Sequence, residues 1–287
     1  MIKKKSSLHF FVPGSLPAFV WMLFFMAIPL VYILVISFLT KGQQWGIELK
    51  FTLDNYKRFF DPLYIKIFLN SFYVAGITTL ITLLLGYPFA FFITLFPKKR
   101  QSLIITLLMI PFWTNTLIRV YGWIIILQKR GIINTVFVAL HLFDKPHDFL
   151  YHQSTVMLGI IYTMLPFMIL PVYNAVEKID KDLIAASYDL GANKIQTFFY
   201  VTVPQTASGI MTGCIMVFMP SIGMYYVADL LGGANSILLG NLIKNQFFEA
   251  RNWPFGAAVS VIMSVISLLL IRLYKKVAGN NSIMGVI

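Results

Sequence analysis

Cysteine, acidic residues and charge in general are what this chain has least of. Its 287 residues include one cysteine, 11 Asp and Glu together, and only 12% charged side chains. The single Cys214 excludes an intrachain disulfide and, lying inside an apolar stretch, says nothing about compartment. So little charge, at a mean hydropathy of +0.77, excludes a water-soluble domain of this length. No G-x-x-x-x-G-K-[ST] occurs anywhere, so the chain has no nucleotide-binding loop of its own. The four histidines, His9, His141, His147 and His152, all fall outside the long apolar runs. No catalytic constellation and no metal site is therefore expected within the membrane.

What is abundant is apolar sequence, 58% of the chain. A span needs about 20 apolar residues, because the hydrocarbon core is roughly 30 Å thick and a helix rises about 1.5 Å per residue. Six segments qualify: Leu16–Leu39, Ile67–Phe96, Leu103–Gln128, Thr155–Tyr173, Thr206–Leu230 and Phe255–Tyr274. The fold class expected is all-α, a polytopic membrane protein of about six transmembrane helices forming one membrane domain over 1–287. The first run follows Lys3, Lys4 and Lys5 but is longer than a signal-peptide core and lacks a small-residue cleavage site, so it reads as a retained helix.

The net charge of +12 does not point to nucleic acid, because the 23 Lys and Arg are scattered among loop ends rather than gathered on one face. Topology explains them better. Lys3–Lys5, the acid-free Pro97-Lys98-Lys99-Arg100 loop, Arg272, Lys275 and Lys276 favour cytoplasmic termini, against Lys57, Arg58, Lys129 and Arg130. The outside then carries long connections at 40–66, 129–154 and 231–254, and the inside one tight loop and the segment 174–205.

That last segment is too charged to span, with Glu177, Lys178, Asp180, Lys181, Asp182, Asp189 and Lys194, yet its apolar residues recur at helical spacing. Asp180 suits the cap that accepts from the first backbone N–H groups of a helix, and Gly191 the left-handed residue that ends it. The expected structure is helix, glycine turn, helix. Leu183, Ala186 and Leu190 share one face of the first element, and Ile195, Phe198 and Phe199 cluster on the second. By itself such a segment is equally an amphipathic connector lying on the bilayer.

Ala185-Ala186-Ser187, then Gly191, then Val201-Thr-Val-Pro204 resembles the cytoplasmic loop of ABC importer permeases, E-A-A-x-x-x-G-x9-I-x-L-P. Ala185 stands at the Glu position and Ser187 at the second Ala, so a contact made by that Glu is lost here. Further stretches resemble spermidine/putrescine permeases of polyamine importers: Phe51-Thr-Leu-Asp-Asn-Tyr56, Gly86-Tyr-Pro-Phe-Ala90, Pro111-Phe-Trp-Thr-Asn115, Tyr226-Val-Ala-Asp-Leu-Leu-Gly-Gly233 and Trp253-Pro-Phe-Gly-Ala257. The resemblance implies a type I ABC importer permease fold in a bacterial inner membrane and a heterodimer with a second permease. It also implies two copies of a cytoplasmic ATPase that bind ATP and Mg, and an external polyamine-binding protein. This chain would bind no cofactor. The coupling helices would lie at about 177–204, with Lys181–Tyr200 docking on the ATPase through Ala185, Ala186, Ser187, Asp189, Gly191 and Pro204.

A polyamine site should offer carboxylates to ammonium groups and aromatic faces to the methylenes between them. Asp229 is the sharpest candidate, ending the fifth apolar run beside Tyr225 and Tyr226. It reads equally as a membrane-end residue in solvent or paired with Arg119. Arg119 would repel a polycation and is expected to hold a carboxylate or carbonyl. Trp113 and Asn115, beside Pro111, can line the path or anchor the helix at the interface. Glu249 can guide cations at the outer mouth or pair with Arg251. Pro88, Pro111, Pro166, Pro171 and Pro220 predict kinks. A permease for another small organic solute, or an ion-coupled secondary transporter, remains the alternative; the latter would want internal repeats and several intramembrane ionisable groups, and neither is evident.

Overall fold

The structure is a computed structural model that describes residues 11–42 and 46–278. Lys3–Lys5 and His9 therefore lie outside the described residues. In chain order the elements are α1 (Phe11–Ser37), β1 (Leu39–Lys41), β2 (Ile47–Phe51), α2 (Asp54–Phe59), α3 (Pro62–Thr94) and α4 (Lys98–Met109). A 3-10 turn, Ile110–Trp113, leads to α5 (Thr116–Leu127), followed by α6 (Ile132–Ala139), α7 (Gln153–Val176), α8 (Lys181–Asp189) and α9 (Lys194–Thr197). A π-turn at Phe198–Thr202 precedes α10 (Val203–Gly223), and α11 (Tyr225–Val227) runs into a second π-turn, Ala228–Gly232. The last described elements are α12 (Leu239–Phe248) and α13 (Trp253–Ala278).

Five of these stretches are long and apolar enough to cross a membrane: Pro17–Ser37, Pro62–Thr94, Gln153–Val176, Lys194–Gly223 and Trp253–Tyr274. Two sequence expectations are corrected. The third run is not one helix: Lys98–Trp113 and Thr116–Ala139 meet at an angle of 89°. Pro111 lacks a donor for a ladder, and Asn115 turns its side chain back to cap α5, its Oδ1 accepting from Leu117 N at 2.8 Å. The fifth run breaks too, since α10 ends at Gly223 and the chain resumes as α11 and a π-turn. The hairpin β1–β2, which pairs Leu39 with Phe51 and Lys41 with Ile47, was not expected.

The chain divides into two compact units, Met1–Asp61 with Ile243–Val265, and Pro62–Leu242 with Ile266–Ile287. In the first, Asn55 Nδ2 donates to the carbonyls of Ser37 (3.0 Å) and Leu39 (2.9 Å), and the Arg58 guanidinium lies 4.7 Å from the centroid of the Phe255 ring.

The second unit is built on α3, α7 and α10. Gln153 Nε2 donates to Asn70 Oδ1 at 2.8 Å near the start of α3 and α7, and Lys98 pairs with Glu177 just past their ends, so the two helices run parallel. α10 runs antiparallel to both, with its first turns beside the end of α7. Gly209 and Gly213 make that approach possible. A Cβ on Gly209 would fall 2.6 Å from the Pro171 carbonyl oxygen, and one on Gly213 2.6 Å from Met168 Sδ. This small-x-x-x-small pairing brings helix backbones together where no hydrophobic effect drives them. Val74, Ile160, Met168, Ile169, Val172 and Val217 fill the core between these helices.

Candidate functional site

Two places in the second unit combine broken helix geometry with polar groups. The first is the turn that follows α10. Gly240 makes it possible, since a Cβ there would meet the Gly223 carbonyl oxygen at 2.3 Å. The buried Asn241 then organises the turn. Its Oδ1 accepts from Leu238 N at 3.0 Å, and its Nδ2 donates to the Tyr225 carbonyl at 3.0 Å and to Asp229 Oδ1 at 2.5 Å. Ser71 on α3 accepts from Leu239 N at 2.8 Å and fixes the next residue.

Asp229 is exposed, and Tyr225 stands beside it with its ring edge-to-face to Tyr226, centroids 6.0 Å apart. Asp229, Tyr225 and Tyr226 thus gather on one turn, held by an amide that sequence reasoning missed. Asn241 lies in a helix that also carries Lys244, Asn245 and Gln246, so nothing in the sequence singles it out, although a buried amide must find partners. A carboxylate on a turn that also carries two tyrosines has the side-chain chemistry that an ammonium group and its methylenes require.

Trp113 and Asn115 sit instead at the α4–α5 break. Trp113 is 83% exposed, and Asn115 serves as the cap of α5. α5, which carries Arg119, packs against the Ala228–Gly232 turn. Arg119 does not pair with Asp229. Its Nη2 donates to Thr116 Oγ1 at 3.0 Å, while its guanidinium stacks 4.2 Å from the Phe112 centroid and 5.9 Å from that of Tyr162. Its Nε and Nη1 are buried without a hydrogen-bond partner. The bend at Thr114–Asn115 turns the side chain into this aromatic nest, where cation–π attraction replaces the expected carboxylate. Glu249 belongs to the other unit, where it pairs with Lys244 at 3.5 Å.

The second place is the charged segment between α7 and α10. Asp180 caps α8 as its position predicts, Oδ1 accepting from Asp182 N at 2.9 Å, and its own N–H donates to Gln205 Oε1 on α10 at 3.1 Å. Gly191 has φ +85° and supplies the left-handed turn. A capping box between Asn193 and Gln196 then starts α9. The departure at Ser187 is internal rather than exposed: its Oγ donates to the Ile184 carbonyl at 2.7 Å and shares a 2.9 Å hydrogen bond with Thr197 Oγ1. It fastens α8 to α9.

Ala185, Ala186 and Asp189 are exposed, and Leu190, 89% exposed, projects beyond them. The expected cluster of Ile195, Phe198 and Phe199 is divided. Phe198 turns inward, edge-to-face with Tyr87 at 5.7 Å, while Ile195 and Phe199 stay outside. The π-turn at Phe198–Thr202 adds a residue to the winding and so rotates the face. Pro204 follows directly in the first turn of α10. At the end of α7 the Lys98 ammonium donates to the Glu177 carboxylate and holds its pKa below the usual carboxylate range.

Residues 8–279 match the family of binding-protein-dependent transport system inner membrane components. The chain belongs to that family. It is similar to the spermidine/putrescine transport system permease protein PotB of Escherichia coli (strain K12), 44% identical over 88% of this chain and 92% of the relative. PotB of Haemophilus influenzae (strain ATCC 51907 / DSM 11121 / KW20 / Rd) is 46% identical over 90% of each. Among solved structures, a bacterial ABC transporter importing the acidic polysaccharide alginate superposes with TM-score 0.75 over 94% of each chain, at 16% identity. That likeness establishes the fold, the one expected for an ABC importer permease. The family's members are membrane components of transport systems, so the chain moves solute and is not an enzyme.

Proposed function

We propose that this chain is one of two permease subunits of an ATP-driven importer of polyamines, spermidine and putrescine among them. The observation that carries this reading is the identity of 44–46% to spermidine/putrescine permeases across about nine-tenths of the chain. The geometry is compatible with it: Asp229, Tyr225 and Tyr226 share one turn, while Arg119 stacks in its aromatic nest instead of pairing with Asp229. Supply of substrate falls to an external binding protein. ATP and Mg belong to two copies of a cytoplasmic ATPase, which dock on α8 and α9 through Ala185, Ala186, Asp189 and Leu190, with Ser187, Gly191 and Pro204 fixing the shape of that surface. Both termini lie in the cytoplasm.

Uptake of labelled spermidine and putrescine in cells deleted of the gene tests the reading. Deletion should abolish uptake and the wild-type gene restore it. Asp229→Asn, which removes the charge and keeps the shape, should lower uptake roughly ten-fold, equivalent to about 1.4 kcal/mol of ammonium binding. Undiminished uptake in the deleted cells overturns the substrate; full activity of Asp229→Asn overturns only the site.

A further inference from the structure

A cavity of about 390 Å³ lies where α3, α4, α7 and α8 meet. Phe91, Leu95 and Ile184 supply its apolar walls, and Lys98, Lys181 and Glu177 its charged rim. The apolar side is continuous with the outward face of α3, where Leu84, Leu85, Phe92 and Leu95 are exposed on a helix long enough to cross the membrane. In a chain of an inner-membrane family such a face suits acyl chains. The polar side is rich in cations: Lys98, Lys99, Arg100, Lys178 and Lys181 stand in the segments bounding it, against Glu177, Asp180 and Asp182. Of these acids Asp180 is engaged in capping α8. α4 opens beside the cavity behind Pro97, with no side chain capping its first turn.

We infer that this cavity binds the phosphate headgroup of an anionic phospholipid, with Lys98 and Lys181 on the phosphate and the acyl chains along Phe91 and Leu95. A pocket that is basic at one edge and apolar at the other, at the membrane end of packed helices, has the chemistry of such a lipid and of neither a free anion nor a peptide. Glu177 is then a competitor. It holds Lys98 when the lipid is gone and yields it when the lipid binds. The site also links lipid to transport machinery, because Ile184 and Lys181 belong to α8, the helix that carries the exposed coupling surface. The inference depends on membership of an inner-membrane family and not on which solute is carried.

The test uses the assembled transporter in phosphatidylcholine nanodiscs with and without phosphatidylglycerol, counting retained phosphatidylglycerol by native mass spectrometry. Lys98→Gln and Lys181→Gln should each weaken retention about five-fold. Lys181→Gln leaves the Lys98–Glu177 pair intact and so reads the site without disturbing the fold. Glu177→Gln should strengthen retention, a sign that a merely structural ion pair would not give. Unchanged retention in the Lys98→Gln/Lys181→Gln double variant overturns the site. So does a shift of Lys98→Gln and Glu177→Gln in the same direction, equal displacement by inorganic phosphate alone, or loss of the ATPase with lipid retained in Lys98→Gln, which lies outside the docking segment, since that would make the cavity a protein contact. Loss of polyamine uptake plays no part in these readings, so a wrong substrate and a wrong lipid site are told apart.

Discussion

Gly191 shows how much a single residue can decide in the coupling segment. At φ +85° a Cβ is opposed by the following carbonyl, at about 1–2 kcal/mol for an L-residue, although no other group stands within 4 Å of it. The strain is therefore purely backbone and should fall on the angle between α8 and α9. Gly191→Val is expected to reduce recovery of the ATPase with the purified permease roughly five- to thirty-fold. Gly191→Asn, which tolerates the left-handed region, should retain most of it. Equal recovery with both variants would mean that the turn does not position the docking surface. Asp180 and Gly191 were readable from sequence because caps and left-handed turns depend on neighbours one to three residues away. Asn241 was not, since its partners Tyr225 and Asp229 are brought to it by a reversal of the chain.

Among the elements, α10 depends most on what it lacks. Gly209 and Gly213 present bare backbone to Pro171, Ala175 and Met168 of α7, and at Gly209 the obstructing groups are the Ala175 Cβ at 2.4 Å and the Pro171 carbonyl oxygen at 2.6 Å. Neither is the end of a flexible side chain, so a larger residue must part the helices. Gly209→Val should cost about 1–3 kcal/mol, read as a lowered thermal midpoint of the purified protein. The matched control is Gly122→Ala on α5, where a Cβ meets nothing within 4 Å; it should be neutral or stabilising. A normal midpoint for Gly209→Val would show that α7 and α10 are not held in this close contact. The G-x-x-x-G spacing is present in the sequence and is the signal that finds this contact. The breaks at Met224 and at Thr114–Asn115 carry weaker signals, because a proline in an apolar run predicts a bend as readily as an end.

On the scale of the whole molecule, the parallel course of α3 and α7 sets the sidedness of the second unit. Their ends meet at Lys98 and Glu177, their starts at Asn70 and Gln153. In a Cys214→Ser background, cysteines placed at Lys99 and Lys194 should react with an impermeant thiol reagent from the cytoplasmic side only, and one at Lys145 from the outer side only. Labelling of all three from one side would refute this arrangement. The charge of the loops does not decide it alone, because Lys57, Arg58, Lys129 and Arg130 weigh against the orientation that the other loop cations favour.

Sequence by itself determined that this is a membrane protein, where its apolar runs lie, and that a capped helix–glycine–helix interrupts them; its motifs further pointed to the family. These are properties of short windows of chain, in which hydropathy, capping and turn chemistry act locally. Tertiary structure alone decided that the third run bends by 89°, that Arg119 stacks on Phe112 and Tyr162 instead of pairing with Asp229, and that Asp229 is held by Asn241. The reason is physical: apolar content fixes whether a segment enters the bilayer, whereas the direction it takes and the partner each buried polar group finds depend on helices far away in the chain.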